Sequence, residues 1–269
     1  MASMCGDSLR VSIFGQSHSP AIGCSIDGLP AGIPIDLDRL QAFLNRRAPG
    51  SSDTSTTRQE ADAVEFIAGI TEGHTNGAPI AAIIRNRDMR SSDYSELRRV
   101  PRPGHADWTG AIKYGEHRDV AGGGHFSGRL TAPLCIAGGI ALQALEARGI
   151  KIAAHIAQLG TEPIADEALN PMELDEAQLD AIAANPLPCI DASVARRMHE
   201  TILRAKSELD SLGAVIECVA YNVPAGLGDP MFDGMESRIA RIAFGIPGVK
   251  GVEFGEGFGA TLMRGSEHK

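Results

Sequence analysis

The chain has 269 residues, of which 43% are hydrophobic, 22% charged and only 4% aromatic. Lys plus Arg number 25 against 34 Asp plus Glu, and the net charge of −9 argues against a general binder of nucleic acid or anionic membrane, while allowing one basic pocket. Five scattered cysteines without a C-x-x-C pair fit buried thiols in a reducing cytoplasm, nothing at the N-terminus reads as a signal peptide, and no apolar run reaches the ~18–20 residues that span a bilayer.

In chain order, Ile22–Asp27 predicts a strand closed by the turn residues Gly28-Leu-Pro-Ala-Gly32. Asp36 is placed to cap a helix whose Leu37, Leu40, Phe43 and Leu44 recur at helical spacing. Val64–Ile70 and Pro79–Ile84 read as two strands joined by a turn around Gly73, Asn76 and Gly77. Between Arg85 and Arg129 the periodicity vanishes, leaving a long loop region rich in arginine, with Tyr94, Trp108 and Tyr114. Residues 131–148 form an apolar helix for the core, stopped by Gly149. Then follow a strand over 150–159, charged outer helices over 172–184 and 191–211, a strand over 213–223, a helix over 233–244 and a strand over 249–254. The long helix is expected to end at Gly213, and Gly251–Met263 to form strand, turn and strand. Strands and helices mix without strict alternation, which predicts one α+β domain over 1–269.

Familiar catalytic and cofactor signatures are missing. Gly122-Gly-Gly124 lacks the lysine of a phosphate-binding loop, and the eight histidines include no H-x-x-x-H pair. What stands out is cationic. Between Arg85 and Arg118, eight Lys or Arg face five acids, a local +3 in an acidic chain. Arg46, Arg47 and Arg129 add to it. Guanidinium forks match carboxylate and phosphate, so a small polyanionic ligand is the reading, against a solvated charged face. His18 and His105 sit on loops beside Gly or Pro, where a rigid backbone can aim an imidazole as a general acid; taken alone, each is more often a structural histidine.

Ten ordered segments resemble the chorismate synthase family. They are Phe14-Gly-Gln-Ser-His-Ser-Pro-Ala-Ile-Gly23, Asp27-Gly-Leu-Pro-Ala-Gly-Ile-Pro34, Arg46-Arg-Ala-Pro-Gly50, Arg58-Gln-Glu-Ala-Asp-Ala-Val-Glu65, Arg90-Ser-Ser-Asp-Tyr-Ser95, Arg102-Pro-Gly-His-Ala-Asp107, Gly122-Gly-Gly-His-Phe-Ser-Gly-Arg129, Ser211-Leu-Gly-Ala214, Pro224-Ala-Gly-Leu-Gly228 and Val249-Lys-Gly-Val-Glu253. The resemblance implies a β-α-β sandwich, a homotetramer, and 1,4-elimination of phosphate from 5-enolpyruvylshikimate 3-phosphate to give chorismate, with reduced FMN (FMNH2) as cofactor. It implies His18 and His105 as catalytic residues, Arg46, Arg47, Arg102 and Arg129 as substrate-binding, and His125, Phe126, Ser127, Pro247 and Gly248 as bordering the flavin.

Several departures accompany it. Gln16 and Ser19 stand where the family usually has Glu and Gly, and Phe126 and Leu130 depart from its Arg-Ser-Ser-Ala-Arg-Glu segment. The chain lacks roughly the last quarter of the family's usual length, which carries further flavin contacts and a proposed base, so the expectation is an inactive fragment of an active enzyme. The alternatives are a non-catalytic paralogue acting as an assembly partner, and a flavin reductase drawing on NADP, for which no Rossmann fingerprint is present.

Overall fold

The computed structural model describes residues 3–48, 50, 53–54, 60–87, 96–160, 164–165 and 174–268. Arg58 and the Arg90–Ser95 segment, including Tyr94, lie outside them.

Strands β1 (Met4–Cys5), β2 (Arg10–Gly15), β3 (Ala21–Asp27), β4 (Val64–Ala68) and β7 (Ile80–Arg85) form an antiparallel sheet in the order β1-β2-β3-β7-β4. Register decides which face is buried. Ile22, Cys24 and Ile26 of β3 lie opposite Ile84, Ala82 and Ile80 of β7, and all six are buried. Helix α1 (Leu37–Arg47) begins as expected, with Asp36 Oδ1 accepting from Arg39 N at 2.9 Å. It contributes Leu40 and Leu44 to this core, and α3 (Thr131–Glu146) contributes Ile136 and Ile140, each pair one helical turn apart. Burying each such side chain is worth about 1.5–3 kcal/mol. The two helices approach closely because a Cβ at Gly139 would meet Leu40 Cδ1 at 2.5 Å.

A second sheet, β10-β8-β9, is built from β8 (Lys151–Leu159), β9 (Ile164–Ala165) and β10 (Ala214–Tyr221). Helix α3 touches β3 and β7 on one side and β8 on the other, which gives the sheet–helix–sheet layering of an α+β sandwich. Helices α4 (Glu176–Ala184) and α5 (Ala192–Ser207) cover the second sheet, with Val194, Ala195 and Met198 packed beside Leu159 and Cys189. Ile152 of β8 and the 60% exposed Ile216 of β10 are exposed, as are Ile239 and Ile242 on α6 (Met235–Ala243).

Several expectations are corrected. The supposed turn at 73–77 holds a small hairpin, β5 (Ile70–Thr71) with β6 (His74–Thr75). The loop region contains a helix, α2 (Asp107–Tyr114), whose pattern is inverted: Trp108 and Ile112 are 61% and 69% exposed while Gly110 and Asp107 face inward. Helix α5 stops at Ser207 rather than Gly213, because Leu209 takes a left-handed φ of 59° and Asp210 N turns back to Ala205 O. Residues 249–254 do not form a strand and pair with none among the described residues, and Gly257–Leu262 is a 3-10 turn. Of the five thiols, Cys24 and Cys189 are buried while Cys218 is exposed. Burial pushes the Cys24 thiol up to about 12. The 19 residues Gly128–Glu146 are long and apolar enough to cross a membrane by length and composition, beyond the sequence reading, but they include the sandwich helix α3.

Candidate functional site

His18 sits on the turn between β2 and β3. Ser19 closes that turn: its Oγ accepts from Gln16 N at 2.9 Å and lies 2.7 Å from Ala21 O, and Ser19 N donates to Gln16 O at 3.2 Å. The departures Gln16 and Ser19 therefore build the loop rather than disrupt it. Ser17 N donates to Gly124 O at 3.1 Å, docking the loop on the Gly122–Gly124 turn. All three glycines there have positive φ (59°, 83° and 56°). A Cβ at Gly122 would lie 2.4 Å from both Nδ1 and Cε1 of His18. The glycine turn thus packs on one edge of the imidazole. Gly122→Ala is expected to cost about 1–3 kcal/mol through this overlap and its left-handed φ, measured by urea unfolding; unchanged stability would place the ring elsewhere.

Behind this loop lies a buried charge network. Asp62, itself at a left-handed φ of 47°, accepts from Arg47 Nη1 on Oδ2 at 2.6 Å and from Arg129 Nη1 on Oδ1. The Arg129 side chain is 3% exposed; its Nε donates to Asn86 Oδ1 at 3.2 Å. Arg129 Nη2 lies 4.0 Å from Glu60 Oε2 and has no hydrogen-bond acceptor among the described residues. The structure therefore unites Arg47 and Arg129 as the sequence suggested, but on Asp62, a carboxylate the sequence reading missed. The Glu-x-Asp spacing of Glu60 and Asp62 was visible in one of the quoted motifs; only the fold shows that both are buried. Arg46, next on the helix, points away, exposed, with its guanidinium carbon 6.0 Å from the Phe43 ring centre.

The His105 loop is a separate ring. Asp107 accepts three bonds from Arg102: N at 3.0 Å, Nε at 2.8 Å and Nη2 at 3.0 Å. The Arg102 guanidinium is the main reason the Asp107 carboxyl is held below its ordinary 3.8. His105 stands exposed at the tip, with Nδ1 3.1 Å from Pro103 O. A carbonyl can only accept, so Nδ1 carries the hydrogen and Nε2 is the nitrogen that exchanges a proton. Because the folded pKa of Asp107 is depressed, its stabilisation is present above the ordinary carboxylate value and lost as pH falls through the lower folded value. Asp107→Asn is expected to cost about 1–2 kcal/mol, moderated by the partly exposed Arg102, and to flatten stability between pH 5 and 2 to about that extent. Identical acid unfolding of variant and wild type would refute this.

Aromatic contacts join the α2 end of this region to the glycine turn. The Tyr114 ring meets His125 edge-on at 5.3 Å, and His125 stacks on Phe126 at 4.3 Å. A Cβ at Gly110 would lie 3.2 Å from Phe126 Cε2, so the glycine admits that ring. Ser127 Oγ accepts from Arg129 N at 3.3 Å, linking the aromatic segment to the buried arginine. Pro247 and Gly248 are exposed in the turn after α6, and no described hydrogen bond ties them to the glycine turn. Other arginines of the loop region do different work: Arg85 pairs with Glu65, and Arg98 and Arg118 donate to backbone carbonyls of Glu116, Gly115 and Arg98. A hollow lined by Arg39, Glu146, Lys151, Glu176 and Asp180 shares no residue with the His18 loop, and those charges are already paired.

An imidazole held on a glycine turn and guanidinium groups ordered by buried carboxylates thus lie together in an α+β sandwich. The sequence model described as chorismate synthase matches residues 9–269. Chorismate synthase from Korarchaeum cryptofilum is 45% identical over 263 residues, covering 98% of this chain and 71% of the relative. That from Lancefieldella parvula is 45% identical over 279 residues, covering all of this chain and 73% of the relative. A crystal structure of chorismate synthase superposes with a TM-score of 0.74 at 26% identity, over 97% of this chain and 72% of that one. The chain belongs to the chorismate synthase family, lyases of the shikimate pathway that act on a small molecule in aromatic biosynthesis.

Proposed function

We propose that this arrangement carries out the 1,4-elimination of phosphate from 5-enolpyruvylshikimate 3-phosphate, giving chorismate. The observation that carries the reading is the placement of the His18 loop, through Asn86, against the Arg129–Asp62–Arg47 network. The substrate holds two carboxylates and a phosphate, and Arg129 Nη2 still has donors to give. In the elimination the C–O bond to phosphate and a ring C–H bond break and a new C=C bond forms, the ring proton passing to the base that the family resemblance places in the last quarter of its usual length. His18 Nε2 delivers a proton to the departing phosphate oxygen, and His105 Nε2 exchanges a proton at the mouth of the α2 loop. Arg47 and Arg129 orient anionic groups, with Arg46 and Arg102 as outer contacts.

The stacked His125–Phe126 pair, with Phe126 partly exposed beside Ser127, fits the flat ring of a flavin. Reduced FMN, when bound, supplies electron density transiently and regains it; NADP enters only as a source of its reducing electrons. Pro247 and Gly248, assigned to the same cofactor, make no described hydrogen bond to the glycine turn, which supports the reading that these 269 residues bind substrate but turn it over little by themselves. Homotetramer formation is supported by the exposed apolar residues Ile152, Ile216, Ile239 and Ile242, and the cytoplasm by five cysteines that are not joined in disulfides.

The test is calorimetric titration of 5-enolpyruvylshikimate 3-phosphate into the chain, followed by an anaerobic chorismate assay with reduced FMN. Saturable binding lost in Arg47→Ala is expected, with little turnover. No binding at millimolar substrate would remove the reading, and full turnover would remove the proposal of low activity.

A further inference from the structure

Asn86 makes a set of bonds that only an amide side chain can make. Its Nδ2 donates to Gln16 O at 3.1 Å and to Ser19 O at 2.8 Å, spending both hydrogens on the two ends of the His18 turn. Its Oδ1 accepts from Arg129 Nε at 3.2 Å, and its backbone N donates to Pro20 O at 3.2 Å. The amide orientation is fixed chemically, because carbonyls only accept and a guanidinium only donates. Asn86 is buried at the end of β7, between the loop that carries the imidazole and the arginine held by Asp62. The bonds run unbroken from the Gln16 and Ser19 carbonyls through Asn86, Arg129 and Asp62 to Arg47.

We infer that Asn86 is the positioning residue that fixes the His18 imidazole relative to the substrate-binding arginines. The role given to His18 rests on the proposed function; the mechanical link does not. Aspartate at position 86 separates the two arms of the link. It keeps, and strengthens, the bond to Arg129, but it has no hydrogen to offer Gln16 O or Ser19 O and sets a carboxylate against them. Serine keeps one donor in less volume.

The test is residue-resolved amide exchange by NMR on the whole chain and on Asn86→Asp, with Asn86→Ser read in the same way should the aspartate variant fail to fold. Exchange at the Ser17 and Ser19 amides is expected to quicken about tenfold, with the Ile22–Ile26 amides of β3 unchanged. The nuclear Overhauser contact between His18 Hε1 and the Gly122 α-protons is expected to weaken. Titration of 5-enolpyruvylshikimate 3-phosphate is expected to change affinity by less than about threefold in the aspartate variant, since the Arg129 arm is kept. Wild-type protection at Ser17 and Ser19 overturns the inference. So does a loss of protection shared equally by β3 and β7, which would make Asn86 an ordinary part of the core. Failure of the wild-type chain to bind substrate would strike the proposed function alone, because the exchange pattern and the imidazole contact are read without ligand.

Discussion

Arg129→Ala is expected to lose about 3–5 kcal/mol of folding stability, the usual cost of breaking a buried ion pair from one side. The sequence suggests an arginine whose loss would chiefly weaken substrate binding. The structure puts stability first. Arg129 is 95% buried, with one nitrogen on Asp62, one on Asn86 and the third 4.0 Å from Glu60, so alanine leaves two buried carboxylates facing a cavity. Arg47 alone cannot compensate, since its Nη1 reaches only the other oxygen of Asp62. Arg129→Lys keeps the charge but loses the fork, and is expected to cost about 1–3 kcal/mol, the range for a hydrogen bond to a charged group. Urea unfolding of the three proteins checks this. An alanine variant within about 1 kcal/mol of wild type would mean that water reaches the carboxylates, and that the network is a surface one.

Most of the scaffold was legible in the sequence because it rests on local rules. Ile22, Cys24 and Ile26 alternate with the period of a strand, Asp36 stands where an N-cap belongs, and the all-round apolarity of residues 131–146 required a helix between layers. What was not legible depends on partners distant in sequence. Residues 249–254 have strand-like composition, but a strand needs a neighbour to accept its ladder, and none is present among the described residues. Helix α2 turns its apolar residues outward and its glycine inward, reversing the pattern by which a helix is read. The site shows the same division. The arginines and histidines could be named from residue type alone. The groups that order them, Asp62 and Asn86, lie 67 and 43 residues from Arg129 and look like ordinary polar residues until the chain folds.

His18→Ala is expected to slow elimination by ~10²–10⁴, the contribution of a positioned general acid. Because the 269 residues alone are proposed to turn over little, the rate is best followed in single turnovers with the enzyme in excess over substrate. Substrate affinity should change little, since the guanidinium groups proposed to hold the anions are anchored on Asp62 and not on the imidazole. The pH profile gives the sign. An acid must be protonated to act, so the wild-type rate falls as pH rises through the imidazole pKa, and that limb should vanish in the alanine variant. Gly122 supplies a control, because a Cβ there would meet the His18 ring at 2.4 Å as well as Ser17 Oγ at 2.6 Å. Gly122→Ala should slow the wild type yet add almost nothing to His18→Ala, the non-additivity expected of two residues acting as a unit. Independent, multiplying losses would show that the glycine turn acts through Ser17 or on the substrate directly, and a near-normal rate for His18→Ala would hand the proton to another residue.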